Sequence, residues 1–422
     1  MKKASTIKEI FNIFDPQSYL KQDTKNYYID IYKDFTDDLH DRLELSDSEE
    51  TIFVAGQSGN GKSSALQLFS SNYPDLNDYY DIKILNARNV FDKKDIDVAD
   101  ILLMIAFTII EENKDLKTEF LAVLEDMRKK KLNELEELEE KTNSNSISEK
   151  GDLISGFKIN LGLLKIGMDF KDTFKVDNQN KKVIRELIKL KKKDFIDKIN
   201  EIIRKYKRDI LKEEKRLLLI IDDIEKIKDS DHIFTDEIST ILQIECSKII
   251  TMPIHLKRSS TFAGYDAKEI SFKLKTRKDE FIPENIRKLE DIITARLEDS
   301  DLIDKDAKEL IAKKSGGNIR QLIKIVKESA LKAHRNRSKT IILADVKDAL
   351  HDIKRDYSSA SVEIKEFLDF IKENKNPKDY SDDSIKKLKI ATNESLIFAY
   401  YNGEIWYDLN PIILDDEWLK IY

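Results

Sequence analysis

The sequence predicts an α/β protein: a parallel sheet with helices on both faces, then a helical segment and a C-terminal unit of helices and one β-hairpin. Five short apolar runs separated by helical patterns predict the parallel sheet. The runs are residues 51–55, 81–86, 217–221, 249–254 and 270–274. Asn402-Gly403 between two apolar runs predicts the hairpin, because both residue types tolerate the positive φ of a two-residue turn.

The composition agrees with this class and excludes others. Only 11 glycines and 6 prolines occur in 422 residues, which is few for an all-β protein with many tight turns. Apolar residues make up 40% and charged residues 37%, so the chain can bury cores beneath a highly charged surface. The 74 basic and 81 acidic residues give a net charge of −7, which excludes a polybasic protein that coats nucleic acid.

Three features indicate a cytoplasmic protein without a membrane partner. The single cysteine, Cys246, excludes an internal disulfide and is typical of a reducing compartment. The first residues lack the apolar stretch and cleavage site of a signal peptide. The longest apolar run, residues 101–110, reaches about half of the ~20 residues that a membrane span needs.

Shifts in composition divide the chain into four segments. We predict an N-terminal helical segment at 1–50, an α/β core at 51–275, a helical lid at 276–355 and a winged-helix-like unit at 356–422. An insertion at 87–215 interrupts the core, and alternation of apolar and polar residues over 156–176 predicts a β-hairpin within it. Further helices are expected at 97–112, 121–141, 181–206, 283–296, 304–313, 319–332, 343–353, 362–372 and 384–389.

The segment from Gly56 to Ser63 carries the strongest chemical signal. It reads GQSGNGKS, follows an apolar strand and opens a helix, as the phosphate-binding pattern GxxxxGK[ST] requires. Glycines let the backbone wrap around a phosphate chain, and the amides and the helix N-terminus attract its charge. Lys62 would reach the β- and γ-phosphates, and Ser63 would bind Mg²⁺. The expected nucleotide-binding residues are Gly56, Gln57, Ser58, Gly59, Asn60, Gly61, Lys62, Ser63 and Ser64.

A second signal is the apolar run that ends in two acids, Asp222 and Asp223. Because the carboxyl ends of parallel strands meet at one edge of a sheet, we expect Asp222 to lie beside the phosphate-binding loop and hold Mg²⁺. Asp223 is the candidate that orients or deprotonates the attacking water. Glu225 is a weaker candidate for the same role.

The order of GQSGNGKSS, IIDDIEK, KIITMPI and SGGNIRQL resembles the AAA+/STAND group of P-loop ATPases. Within that group the chain is similar to origin-recognition-type initiators and to bacterial defence and signalling ATPases. The resemblance implies a P-loop NTPase core, a helical lid and a C-terminal winged helix. It also implies ATP as the nucleotide, with Mg²⁺.

The resemblance assigns roles to further residues. Thr251 would act as the polar sensor of the γ-phosphate, and Arg320 as the lid arginine that reaches back to the nucleotide. Family members contact adenine just upstream of the P-loop, which makes Tyr27, Tyr28 and Asp30 candidates. Arg258 and Arg296 are the candidates for an arginine that acts on a neighbouring subunit.

The sequence is compatible with three functions. The first is a slowly hydrolysing ATP switch that controls a separately encoded effector protein, in anti-phage defence or signalling. The second is a DNA-associated initiator or remodelling ATPase. Residues 356–422 hold eight lysines against fourteen acids, which disfavours DNA there, whereas residues 308–339 hold ten basic residues against two glutamates. The third is a homo-oligomeric scaffold that uses the hairpin at 156–176.

Overall fold

The computed structural model describes most of the chain. The described residues are 2–18, 20, 22–87, 97–111, 113–141, 178–212, 214–227, 230–262, 264–357 and 364–414. The hairpin predicted at 156–176 lies outside them.

Five parallel strands form one sheet in the order β2-β3-β4-β1-β5, and a separate antiparallel pair, β6-β7, lies near the C-terminus. Both agree with the predicted class. The strands are β1 (Thr51–Ala55), β2 (Tyr80–Asn86), β3 (Arg216–Asp222), β4 (Ser247–Met252), β5 (Ala267–Glu269), β6 (Ile397–Tyr401) and β7 (Ile405–Leu409). Strands β1, β3 and β4 are buried along almost their whole length, as expected when a sheet is covered on both faces.

The helices follow the apolar periodicity of the sequence. They are α1 (Ile7–Ile13), α2 (Lys33–Leu45), α3 (Lys62–Asn72), α4 (Leu76–Tyr79), α5 (Val98–Ile110), α6 (Lys114–Lys141), α7 (Asn178–Leu190), α8 (Lys192–Lys205), α9 (Asp231–Thr235), α10 (Ile238–Leu242), α11 (Pro283–Thr294), α12 (Lys305–Lys314), α13 (Ile319–Arg335), α14 (Leu343–Arg355), α15 (Lys365–Asn374) and α16 (Asp382–Asn393). No helix in the described ranges is long and apolar enough to cross a membrane.

The chain divides into two compact units. The first comprises Met1–Leu45, Ile52–Pro74 and Thr251–Tyr422, and the second comprises Ser46–Thr51 and Asp75–Ile250. In the first unit α11 to α14 occupy the segment predicted as a lid and are here called the lid, and α1 packs on α13. Residues 364–414, here called the C-terminal module, place α15, α16 and the β6-β7 hairpin around a shared apolar core. This is the helix and hairpin order expected of a winged-helix-like unit.

The second unit is built on the apolar helix α5, which packs against β2 and against α7 and α8. Asp97 and Asp100 form a capping box at its start. Asp100 is fully buried, and its carboxylate pairs with Arg185 of α7. Because an unpaired buried charge is costly, this ion pair holds α7 against α5.

Two predicted elements differ from the structure in kind or position, and two predicted helices are longer, since α6 begins at Lys114 and α16 spans Asp382–Asn393. The single helix expected at 181–206 is two helices, because the backbone at Lys191 leaves the helical region at φ −123° and ψ 37°. Lys191 and Lys192 then bind acids on different elements, Glu134 at 2.9 Å and Glu237 at 2.6 Å.

The strand expected at 270–274 lies earlier, at β5. The Ile270 amide still donates to the Ala55 carbonyl at 2.9 Å, and there the strand ladder ends. The next residue turns towards the C-terminal module, where the Ser271 hydroxyl donates to the Ala399 carbonyl at 2.6 Å. The apolar residues after Glu269 are therefore buried by tertiary packing and not by strand pairing.

Candidate functional site

Residues 56–61, here called the glycine loop, join β1 to α3 in the first unit. Gly59 and Gly61 have φ values of +91° and +89°, which side-chain-bearing residues rarely adopt. A Cβ at Gly56 would lie 2.5 Å from Ile270 Cγ2 and 2.9 Å from the Ile270 carbonyl oxygen. All three glycines of the motif are thus required by the backbone, two by conformation and one by close approach.

Lys62 is buried at the start of α3, with only 3% of its surface exposed. Its ammonium donates to the Gly56 carbonyl at 2.5 Å and reaches the Gln57 carbonyl at 3.4 Å. Burying a charged amine is costly unless oxygen atoms surround it. The loop therefore holds a positive charge within its own turn, where an incoming phosphate would lie.

The backbone amides of the glycine loop complete an anion-binding arrangement. Within the described part of the chain, the amides of Ser58, Gly59 and Gly61 donate no hydrogen bond. Helix α3 begins next to them, and Gly61 provides no side-chain cap. Backbone amides and a helix N-terminus attract phosphate oxygens, so the residues present fit a bound polyphosphate.

Two lid residues contact the glycine loop directly. Asn318 caps α13, because its side-chain oxygen accepts from the Gln321 amide at 3.0 Å. Its amide nitrogen donates to the Ser58 carbonyl at 2.8 Å. The Arg320 guanidinium donates to the Ser58 hydroxyl at 2.8 Å, and its backbone amide donates to the Gly59 carbonyl at 3.1 Å. The structure therefore places Arg320, the expected lid arginine, on the loop.

Other side chains of the motif contact the rest of the protein. The Ser64 hydroxyl accepts from the Leu20 amide at 3.1 Å. Asn60 donates to the Ile270 carbonyl at 3.4 Å. The Gln57 side chain, 2% exposed, is hydrogen-bonded to the C-terminal module. Ser63 is buried next to Lys62.

The acid pair lies in the second unit, at the end of β3. Asp222 is the last residue of the strand and faces Asn86, the last residue of β2, in the strand register. The Asn86 amide nitrogen contacts both carboxylates, at 3.4 Å from Asp222 and 3.2 Å from Asp223. Asp223 has a positive φ of 69° and forms an ion pair with Lys226. Both acids are buried, so the strand end concentrates negative charge in a polar cluster.

The same strand end fits a divalent cation. Asp222, Asp223 and Glu225 each offer a carboxylate oxygen, and the three atoms lie within 4.8 Å of one another. Carboxylate oxygens are the ligands that Mg²⁺ prefers in proteins. The ligand atoms of a second group, His40, Asp41 and Glu44, also lie within 4.8 Å of one another, but on the surface, where such clusters are common without a metal.

Three further candidates, Thr251, Arg296 and Arg258, are buried or already contact other groups of the protein. Thr251 is fully buried in β4. Arg296 is also buried, its guanidinium donates to the carbonyls of Ile292 and Tyr27, and burial lowers its pKa to about 10. This position does not suit a group that must reach a neighbouring subunit. The Arg258 guanidinium lies 5.2 Å from the Tyr380 ring centroid in the C-terminal module.

The candidates for adenine contact lie upstream of β1 and make separate contacts. The Tyr28 hydroxyl donates to Asp30 at 3.2 Å, and the Tyr27 hydroxyl donates to the Lys2 carbonyl at 2.8 Å. Tyr32, which no sequence pattern singled out, lies against the loop. An ideal Cβ on Gly61 would lie 3.7 Å from the Tyr32 ring.

Two other residues were missed although the sequence carries a signal for each. Asn86 is a polar residue that ends an apolar strand, and strand ends in α/β sheets are where sites form. Asn318 stands between a Gly-Gly turn and a helical pattern, which is the usual position of a helix cap. Neither signal alone indicates which groups these side chains contact.

Gly59→Ala tests whether the loop geometry holds the lid. A methyl group there would force a positive φ on alanine and collide with Asn318 and Arg320. We expect a loss of about 2–4 kcal/mol in unfolding free energy, from backbone strain and lost lid contacts. Gly264→Ala is the matched control, because a Cβ at Gly264 has no heavy atom within 4 Å. Thermal unfolding of both variants measures the difference, and equal melting temperatures would contradict the assignment.

No protein-family model and no curated protein matches the chain. Solved structures similar to it include Drosophila ORC bound to DNA, at 10% identity and a TM-score of 0.44, covering 100% of this chain and 92% of the other. The Aeropyrum pernix ORC2 protein in its ADP form has 13% identity, a TM-score of 0.42 and coverages of 97% and 96%. The Thermotoga maritima RuvB Holliday junction branch migration motor has 12% identity, a TM-score of 0.34 and coverages of 81% and 74%. The α/β class assigned here rests on the strands and helices themselves.

Proposed function

We propose that the chain binds ATP with Mg²⁺, hydrolyses it slowly and uses the nucleotide to control a separately encoded partner protein, in defence or signalling. The proposal rests on the burial of Lys62 directly after the glycine loop and on the hydrogen bonds that join this loop to the lid residues Asn318 and Arg320. A phosphate-binding loop in contact with a lid allows the lid to respond to what the loop binds.

Binding would use groups that already face one another in the loop. The amides of Ser58, Gly59 and Gly61 would donate to phosphate oxygens, and Lys62 would exchange the Gly56 carbonyl for the β- and γ-phosphates. Because Arg320 donates to the Ser58 hydroxyl of the same loop, its charge would be available to a bound phosphate. The preference for adenine rests on the family resemblance.

Hydrolysis would use the acids at the end of β3. We assign Ser63 and Asp222 as Mg²⁺ ligands and Thr251 as the sensor of the γ-phosphate. Bound Mg²⁺ would supply charge neutralisation at the phosphates. Asp223 would orient the attacking water, with Glu225 as the weaker candidate. Lys226 and Asn86 fix the Asp223 carboxylate through an ion pair and a hydrogen bond.

Lys62→Ala should abolish ATP binding, because it removes the buried cation that would bind the phosphates. Isothermal titration calorimetry with ATP and Mg²⁺ measures the affinity. Lys8→Ala, at an exposed position on α1, is the matched control and should bind like the natural chain. Unchanged affinity in the Lys62 variant would remove the basis of the proposed function.

Asp223→Asn should lower the turnover of ATP by about 10²- to 10⁴-fold while leaving ATP affinity within a few-fold, because it removes a carboxylate that acts on water and not on the nucleotide. Phosphate release under saturating ATP measures turnover, and calorimetry measures affinity. Asp236→Asn, at an exposed acid of the same unit, serves as the control. A variant with normal turnover would show that Asp223 has a structural role only.

DNA association is the second candidate, and a specific feature of the lid favours it. At least four of the ten basic residues over 308–339 form ion pairs with acids in the described part of the chain: Lys313 with Glu309, Lys324 with Asp356, Lys327 with Asp15 and Lys332 with Asp352. By contrast Arg335, Arg337 and Lys339 are exposed at the end of α13, with no ion pair among the described residues. Three cations within five residues can contact a phosphate backbone.

A gel shift with duplex DNA distinguishes this candidate from the switch alone. If the end of α13 binds DNA, the natural chain should retard it at low salt, and replacing Arg335, Arg337 and Lys339 by glutamine should weaken the shift several-fold. Glutamine at Lys305, Lys308 and Lys347, elsewhere on the lid, provides a charge-matched control. No retardation at low salt, with or without ATP, would exclude the DNA-associated function.

A further inference from the structure

The side chain of Gln57, the second residue of the glycine loop, is directed into the C-terminal module. Its amide nitrogen donates to the Thr392 carbonyl at 3.1 Å and to the Ile397 carbonyl at 2.7 Å. Its oxygen accepts from the Ala399 amide at 3.1 Å. Both amide hydrogens and the carbonyl oxygen are therefore used, and the residue is 2% exposed. Its partners are backbone groups at the end of α16 and in β6.

The module is held at the same place by other polar contacts. The Ser271 hydroxyl donates to the carbonyl of Ala399, the residue whose amide binds Gln57. Lys275 pairs with the buried Asp408 of β7. The Phe398 ring packs directly over Gly316 at the lid turn, leaving no room for a Cβ there. The module is therefore in contact with the glycine loop, with the segment after β5 and with the lid.

Neighbouring residues of the glycine loop thus contact different parts of the first unit. Gln57 binds the C-terminal module, whereas Ser58 binds the lid through Asn318 and Arg320. The two carbonyls that Lys62 contacts belong to Gly56 and to Gln57 itself. The orientation of Gln57 is consequently linked to the position of the Lys62 ammonium.

We propose that Gln57 couples nucleotide binding to docking of the C-terminal module, so that each opposes the other. The inference rests on the proposed function, because it requires a phosphate that draws Lys62 away from the loop. When Lys62 leaves the Gly56 carbonyl, the peptide group between Gly56 and Gln57 loses that donor and reorients, whereas the Gln57 carbonyl keeps the Asn60 amide as a donor at 3.3 Å. That movement displaces the Gln57 side-chain amide from its three buried backbone partners. Because buried polar groups without a partner are costly, the module is then released more readily.

Thermodynamic linkage makes the coupling reciprocal. If phosphate binding weakens module docking by some factor, a docked module weakens nucleotide affinity by the same factor. Gln57 is therefore a positioning residue that acts through the module. Its loss should tighten nucleotide binding, which is opposite to the effect expected from damage to a phosphate-binding loop.

The test uses the full chain and two measurements on each sample. Hydrogen–deuterium exchange of peptides covering 396–410 reports docking, since the Ala399 amide is one of the bonded groups. Calorimetry with a nonhydrolysable ATP analogue and Mg²⁺ reports affinity. In the natural chain the analogue should increase exchange over 396–410. Gln57→Ala should show that increased exchange without nucleotide and should bind the analogue about tenfold more tightly.

Two further variants keep the test decisive. Gln67→Ala replaces a glutamine of α3 that forms no side-chain hydrogen bond within the described residues, and it should behave like the natural chain. Ser271→Ala removes one bond to Ala399 from outside the loop, so it should shift both measurements in the same direction as Gln57→Ala, by a smaller amount. If Gln57→Ala does not fold, the Ser271 variant decides.

Binding of the analogue without any change in exchange over 396–410 would overturn the coupling and leave the proposed function intact. Unchanged or weaker affinity in folded Gln57→Ala, or in Ser271→Ala, would also overturn it. No heat of binding from the natural chain would instead overturn the proposed function, and the coupling with it.

Discussion

The need to surround a buried ammonium with oxygen atoms determines the arrangement of the first unit around the glycine loop. Lys62 meets this need through the Gly56 and Gln57 carbonyls, which point inward only because the loop turns tightly. This tight turn requires positive φ values at Gly59 and Gly61. A loop this tight exposes its remaining polar groups on its outer side, where the lid and the C-terminal module provide partners.

Those partners are polar, and this matters for function. A lid held by an apolar core would not respond to a charge in the loop, whereas Asn318 and Arg320 contact Ser58 by hydrogen bonds that a phosphate can replace. Each such bond contributes about 0.5–1.5 kcal/mol net. Differences of that size change populations severalfold without unfolding anything, which is the range in which ligands shift conformations.

The sequence predicted what depends on neighbouring residues and missed what depends on distant ones. The turn between β1 and α3 and the acids at the end of β3 lie in the predicted secondary-structure context, because turns and strands leave local patterns. The continuous apolar period across residues 178–205 concealed the break at Lys191, since the same face remains buried on both sides of it. The bonds of Gln57 to Ile397 and Ala399 join residues some 340 positions apart, and no spacing rule predicts such a pair. The roles of the site residues stay predictions until the variants are measured.

The charge balance at the end of β3 points to a cation for a reason independent of any motif. Asp222 and Asp223 are adjacent and buried, so their carboxylates repel one another at low effective dielectric. Asn86 offsets part of this with an amide that contacts both, and Lys226 neutralises one of them. Glu225 offers an oxygen to the same group of carboxylates. A divalent cation bound among them would offset their repulsion, which is why Mg²⁺ and the acids should stabilise one another.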